Sequence, residues 1–451
     1  MKHHELRSRA LRSGPLKSSV FIQTPAARSV AIAIAIGAGS RHERLSERGA
    51  AHLLEHLCFR GIQGAETSAA LAHAMESLGA TSNAGTDRES TMYWIHAPRA
   101  AAVDAARLIG AVALAPLLQA DHMRIERQIV IEEIRSYDDD PSEQAGTALD
   151  RALYGDHALG REIAARPAEV RALSHDAVTR FHARTYVPQA ATLAIAGDLT
   201  LSGAQAIARA ALAALPRRAA TRRVTSPRGA SAGLAARIVP ARGQGIVAKI
   251  RDGEQAQFAL GLPALRREDP DAPALELLST ILGDGSASRL FLELREDRGL
   301  VYDISASSIE YADAGAFIVA GGADPSKVLP AVLLATDALK RLAREAPSDR
   351  EIERARAYLA GRLERAADDP RGLAEWHASQ RLLRRSPQEL PDLLREIARV
   401  RPADLLRVAR RLAKGGGFRV GLSAPRATVS AVRRAAARGD LDPSRPEPRA
   451  R

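Results

Sequence analysis

The sequence predicts an α+β fold of two related domains, each a mainly antiparallel sheet packed with helices. In Val30–Ile36, Ala and Ile alternate strictly, which is the period-2 signature of a strand. Strand-like and helix-like runs mix along the chain without regular βαβ alternation, which favours antiparallel sheets. The 451 residues exceed one domain at about 150 residues each, and the second half repeats the style of the first.

The first domain is placed at 1–215. It opens with strands at Val20–Thr24 and Val30–Ile36, the latter broken by Gly37–Ser40. Helices are expected at Gly49–Arg60 and Glu66–Leu78, a strand at Ser90–Ala97, and helices at Ala100–Ala115 and Asp121–Tyr137. Asp138–Pro141 reads as a helix stop. After further helix comes a strand at Ala191–Ala196. Residues 216–237 are rich in Arg, Ser, Thr, Gly and Pro and read as a linker.

The second domain is placed at 238–425. Its expected strands are Ile246–Ile250, Gln257–Leu262, Val301–Ser307, Gly315–Ala320 and Phe418–Ser423. Its expected helices are Ala272–Leu282, Ala287–Arg295, Pro325–Arg344, Asp349–Ala366, Gly372–Leu383 and Pro402–Leu412. A basic tail, 426–451, begins as a short helix and ends in a Pro- and Arg-rich stretch expected to be disordered.

Composition narrows the function. Hydrophobic residues are 46% and charged residues 26%, as in globular proteins. The net charge of +12 comes almost wholly from Arg spread over helices, the linker and the tail. With 4% aromatics and no nucleic-acid motif it reads as a solvated basic surface, so neither nucleic acid nor membrane is expected as a partner. One cysteine, Cys58, rules out an internal disulfide or a Cys-built zinc cage and reads as a small buried residue. No apolar run approaches about 18 residues. The polar start shows no secretory signal, and the expected compartment is the cytoplasm.

The chemistry concentrates in His52-Leu53-Leu54-Glu55-His56, an H-x-x-E-H pattern. On a helix, residues three and four apart share a face, so His52 and His56 can present ring nitrogens to one ion with Glu55 beside them. Two imidazoles suit Zn²⁺, and an unbound carboxylate next to the metal can serve as a general base. Read alone, the pentapeptide also fits an amphipathic helix with two solvated histidines. A third ligand is needed, and the acidic helix around Ile125–Ile134 offers it. Glu126 and Glu133 are two turns apart on one face, and Glu132 lies about 100° from Glu133. Spacing leaves Glu132 and Glu133 equally eligible.

From about Val20 to Ser423 the sequence resembles the pitrilysin, insulysin and mitochondrial-processing-peptidase family of zinc peptidases, in its bacterial form of about 50 kDa. Gly37–Arg41 with Glu43 resembles the family's G-S-R-x-E signature, and His52–His56 with Phe59 and Gly61 its H-x-x-E-H-x-x-F-x-G-T motif, with Ile62 in place of Thr. The resemblance of Glu126–Ile134 to the family's ligand helix selects Glu133 as the third ligand and makes Glu126 a supporting carboxylate. Asn83-Ala84-Gly85-Thr86, with Glu89, Thr91 and Tyr93, resembles the strand that holds the peptide by β-addition, so Asn83 and Ala84 become substrate-binding residues. Leu282–Tyr302 resembles a substrate-orienting segment in which Arg295 and Tyr302 occupy the places of an Arg/Tyr pair.

The resemblance implies zinc-dependent peptide hydrolysis with Glu55 as general base, and Arg295 and Tyr302 orienting the substrate or stabilising the oxyanion. It also implies that two domains form half of a clamshell chamber admitting unfolded peptides or leader segments. Because one chain carries both the zinc motif and the Arg/Tyr pair, a homodimer is the simplest assembly. The alternatives are a non-catalytic scaffold, or one subunit of a heterodimeric processing peptidase acting on a dedicated precursor peptide, such as that of a modified natural product.

Overall fold

The computed structural model describes residues 8–12, 14–215 and 245–445. The expected linker, 216–237, lies outside the described residues, as do residues 446–451 of the tail. The chain forms two compact units, each built on one sheet. Of the described residues, the first takes those within 8–134, 162–215 and 363–392, the second those within 135–161, 245–362 and 393–445.

The strands of the first unit are β1 (Ser8–Ala10), β2 (Ser18–Gln23), β3 (Ser29–Ile36), β4 (Thr81–Thr86), β5 (Thr91–Pro98) and β6 (Ala191–Gly197). They lie in the order β1-β2-β6-β3-β5-β4, with β2 and β6 parallel and every other pair antiparallel. The alternation in β3 has a clear cause. Val30, Ile32, Ile34 and Ile36 point into a core that also holds Leu53, Leu54, Leu57 and Ile109. Burying each Ile contributes roughly 1.5–3 kcal/mol. Ala31, Ala33 and Ala35 point to the other face, where helix Pro370–Leu383 lays Leu373, Ala374, Ala378 and Leu382. Three methyl-sized side chains in a row let that helix come close. Thr192 on β6 donates its hydroxyl to the Ala378 carbonyl at 2.9 Å.

The second sheet comprises β7 (Ile246–Ile250), β8 (Ala256–Pro263), β9 (Asp303–Glu310), β10 (Gly315–Ala323) and β11 (Arg419–Ala424), in the order β7-β11-β8-β10-β9. β7 and β11 are parallel and the rest antiparallel. From β2 onward the first sheet has the same order and directions, so the two units share one topology. Helix Pro141–Tyr154 covers this sheet, burying Leu149 and Leu153 against Ala259 and Ala316. Here glycine does what alanine does in the first unit: a Cβ on Gly421 would stand 2.0 Å from the Ala145 carbonyl oxygen.

Each covering helix starts on an Asp-Pro pair. Asp140 accepts from the Ser142 amide at 2.7 Å, and Asp369 accepts from Arg371 and Gly372 at 3.0 and 3.2 Å. Asp140 therefore caps a new helix directly after the expected stop. The helix expected at Ala287–Arg295 is instead a π-helical turn at Phe291–Asp297, and the strand expected at Val301–Ser307 is shifted to Asp303–Glu310. Helix Leu390–Arg399 and the three-residue β1 were not anticipated. The short helix at the start of the tail spans Arg426–Arg438 and buries Val429, Val432 and Ala435.

Candidate metal centre

The H-x-x-E-H segment lies on helix α1 (Ala50–Cys58), with Leu53, Leu54 and Leu57 in the core. The helix enters through Gly49, whose φ of 87° favours glycine. The Glu43 carboxylate meets the open helix end, accepting from the amides of Gly49 at 3.0 Å and Ala51 at 2.8 Å. Helix α2 (Ser68–Glu76) follows, and after β5 come α3 (Ala102–Leu114) and α4 (Ala120–Asp139).

Among the described residues, one group of three could hold a metal ion. Ligand atoms of His52, His56 and Glu133 all lie within 4.8 Å of one another. Glu133 Oε2 on α4 is 3.6 Å from His52 Nε2 and 3.3 Å from His56 Nε2. A tetrahedral ion with ligands at about 2.0–2.1 Å spaces them about 3.4 Å apart, so two of the three edges match. Two imidazole nitrogens and a carboxylate oxygen are also the donor chemistry zinc takes. Of the two glutamates left open by spacing, Glu132 is exposed and accepts from Gln128 at 2.6 Å, while Glu133 faces the histidines.

The histidines differ electrostatically. Burial and the neighbouring His56 push His52 down to about 4, against a smaller pull from Glu133, so its ring is neutral. Its Nδ1 is buried without a partner among the described residues. Burial also opposes charge on His56, but hydrogen bonds to Glu126 and Glu133 outweigh it and carry the ring up to about 9. His56 Nδ1 stands 2.9 Å from Glu126 Oε2. Glu126 is buried and also accepts from Arg60 Nε. Burial works against its charge, yet the bonds from His56 and Arg60 hold it below the ordinary carboxylate range.

Glu55 lies beside this group, and Thr86 at the end of β4 donates its hydroxyl to Glu55 Oε2 at 2.5 Å. Burial raises the Glu55 pKa and Glu133 adds to the rise, while the Thr86 hydroxyl, His56 and a bond from the Thr86 backbone amide moderate it. Asn83 and Ala84 lie on β4, the edge strand of the first sheet. Asn83 is exposed, and its Oδ1 accepts from the Ala84 amide at 2.8 Å. Cys58 is fully buried and accepts from the Tyr93 hydroxyl at 3.4 Å; burial pushes its thiol up to about 12, which makes it unreactive.

Arg295 and Tyr302 belong to the second unit. Arg295 sits in the π-helical turn, with its guanidinium 4.8 Å from the Phe291 ring centre. Tyr302 precedes β9, donates its amide to the Gly322 carbonyl at 2.8 Å and is 54% exposed. Sequence reasoning gave no role to Thr86 or Arg60. A signal existed for Arg60, which falls four residues after His56 in the sequence.

Two related α+β units, with H-x-x-E-H on a helix of the first, define the class. The family model described as Insulinase (Peptidase family M16) matches residues 19–166, and the model described as Peptidase M16 inactive domain matches residues 172–359. An uncharacterized zinc protease of Mycobacterium tuberculosis is 31% identical over 388 residues, covering 86% of each chain. One from Streptomyces coelicolor is 32% identical over 392 residues, covering 86% of this chain and 83% of its own. The crystal structure of a protease from Helicobacter pylori superposes with a TM-score of 0.81 at 20% identity, covering 93% of this chain and all of that one. The chain belongs to the insulinase family, peptidase family M16. Among the described residues, no helix is long and apolar enough to cross a membrane.

Proposed function

We propose that this chain is a zinc-dependent endopeptidase, cytoplasmic, that hydrolyses unfolded peptides or leader segments within the chamber of a homodimer. The observation that carries the reading is the convergence of His52, His56 and Glu133 with Glu55 beside them. His52, His56 and Glu133 would hold the ion. Bound zinc supplies Lewis acidity toward the scissile carbonyl and makes water a better nucleophile.

The other steps fall to the chain's own groups. Glu55 takes the proton of the attacking water and returns it to the leaving amine. Glu126 fixes the ring of His56 through Nδ1. β4, an edge strand of the first sheet among the described residues, would pair with an extended peptide at Asn83 and Ala84. Arg295 and Tyr302 of the facing copy would act on the substrate near the carbonyl, and Tyr302 is exposed. One chain carrying both residue sets favours two like copies over two specialised subunits.

The test is metal content and solution mass of the wild type beside His56→Ala and Glu55→Gln, with a peptide-cleavage screen. Expected are one zinc per chain in a species of twice the chain mass, loss of zinc in His56→Ala, and zinc without hydrolysis in Glu55→Gln. A wild type that takes up no zinc, or a metal-loaded Glu55→Gln protein with full activity, overturns the reading.

A further inference from the structure

We infer that Thr86 is a positioning residue that orients the Glu55 carboxylate and thereby links the edge strand β4 to the base. The inference rests on the reading of Glu55 above; its own content is how that side chain is held.

Hydrogen accounting assigns the direction of the bond. Thr86 Oγ1 has two neighbours, Glu55 Oε2 at 2.5 Å and Thr91 Oγ1 at 3.4 Å. Thr91 is fully buried, and its own hydroxyl hydrogen goes to the Ala38 carbonyl at 2.8 Å. A hydroxyl has one hydrogen to give. That of Thr86 therefore goes to the nearer carboxylate oxygen, in a bond stronger than one between neutral groups.

Thr86 is itself placed on a rigid base. It pairs with Thr91 across the end of the β4–β5 hairpin, closed by the Asp87 amide on the Ser90 carbonyl at 2.8 Å. The hairpin tip is clamped to the loop before α1, where the Ser40 and Arg41 amides donate to the carbonyls of Asp87 and Arg88 at 3.2 and 2.9 Å. Gly39 makes this approach possible, since a Cβ there would stand 2.2 Å from the Asp87 oxygen. A buried ion pair, Arg41 Nη1 to Glu89 Oε1 at 2.6 Å, locks the same corner. Glu55 comes from a helix and Thr86 from the strand edge, so the Thr86 hydroxyl, beside a bond from the Thr86 backbone amide, ties the base to the strand that would receive a peptide. The hydroxyl adds a second bond to that of the amide, and two bonds from one residue hold the carboxylate in one orientation, the condition for efficient proton transfer.

The test compares Thr86→Val, which keeps the branched shape and removes the hydroxyl, with Thr86→Ser, which keeps the hydroxyl. Steady-state peptide cleavage, zinc content and crystal structures of all three proteins are measured. Expected for Thr86→Val are unchanged zinc, KM within about twofold, and kcat lower by roughly 10- to 100-fold. Its Glu55 side chain should leave the single position seen in the wild type, while Thr86→Ser should stay within about threefold of wild-type kcat. Wild-type kcat in Thr86→Val, equal losses in Val and Ser, or an unmoved Glu55 in the Val structure would each overturn the inference. Absence of cleavage by the wild type would count against the peptidase reading, and the crystallographic comparison would still decide the role of Thr86.

Discussion

Glu126 stands behind His56, its Oε2 2.9 Å from Nδ1, while Nε2 of the same ring faces Glu133 at 3.3 Å. In the neutral ring that a metal requires, an ionised Glu126 makes Nδ1 the protonated nitrogen and leaves the Nε2 lone pair for the proposed ion. Arg60, on the other oxygen of Glu126, keeps the carboxylate charged. The Glu126→Gln substitution keeps the volume and removes the charge. It is expected to weaken zinc binding by about 10–100-fold while leaving the fold intact. Competition with a chelator of known affinity measures this, and an unchanged zinc affinity would show that Glu126 is only filling space.

Much of this arrangement is legible in the sequence, and the remainder has physical reasons for being hidden. The Ala/Ile alternation of β3 shows because its two faces meet different partners, one a thick core and the other a closely packed helix. His52, Glu55 and His56 show because helical spacing alone puts them on one face. Thr86 is hidden because it reaches Glu55 across 31 residues, through a hairpin tip whose position depends on Gly39 and Arg41. The sequence likewise gives helix after Pro141 and at Gly372–Leu383, but not which sheet each one covers. The repeated Asp-Pro start is a readable sign of duplication, obscured because Asp138–Pro141 also looks like an ending. The π-helical turn at Phe291–Asp297 leaves no separate mark, since its residues are ordinary helix formers.

Glu43 acts on α1 from outside the helix, and a prediction about stability follows. Its two oxygens satisfy the amides of Gly49 and Ala51, which otherwise have no acceptor within the helix. Glu43→Ala should cost about 1–2 kcal/mol, as the loss of a helix cap does. In a unit of this size that lowers the thermal midpoint by about 2–4 °C per kcal/mol. Glu43→Gln keeps a carbonyl acceptor and should lose less. Equal midpoints for Glu43→Ala and wild type in a thermal melt would show that water replaces the carboxylate without cost.

In the second unit, Arg289 grips Glu351 with two bonds, Nε to Oε1 at 2.7 Å and Nη2 to Oε2 at 3.1 Å. Those bonds first, and bonds from the Ser348 amide and hydroxyl after them, bring the Glu351 carboxyl down from 4.5 to about 2 against the effect of burial. A depressed carboxyl stabilises the fold above its unfolded pKa, and that contribution is lost as pH falls from 4.5 through about 2. The pair is partly exposed, so Arg289→Ala should cost under about 1 kcal/mol at pH 7. The difference from wild type in urea midpoint should shrink as pH falls from 5 to roughly 2.5. A gap that stays constant over that range would mean that packing, rather than charge, accounts for the loss.

The covering helix of the second sheet offers opposite outcomes for one substitution type. At Gly421 a Cβ would meet the Ala145 carbonyl oxygen at 2.0 Å and the Leu149 nitrogen at 2.4 Å. Both obstacles are backbone atoms of a packed helix and cannot swing aside as a side-chain tip can. Gly421→Ala should therefore push the helix off β11 and cost about 1–3 kcal/mol or more. Gly146, one residue beyond Ala145 in that helix, has nothing within 4 Å of an added Cβ. Gly146→Ala should stabilise the protein by about 0.5–1 kcal/mol, because alanine loses less backbone entropy in a helix. Urea unfolding of the two variants side by side checks both signs. A Gly421→Ala protein as stable as wild type would mean that this helix can lift from the sheet at little cost, and that the glycine is not what allows it to sit there.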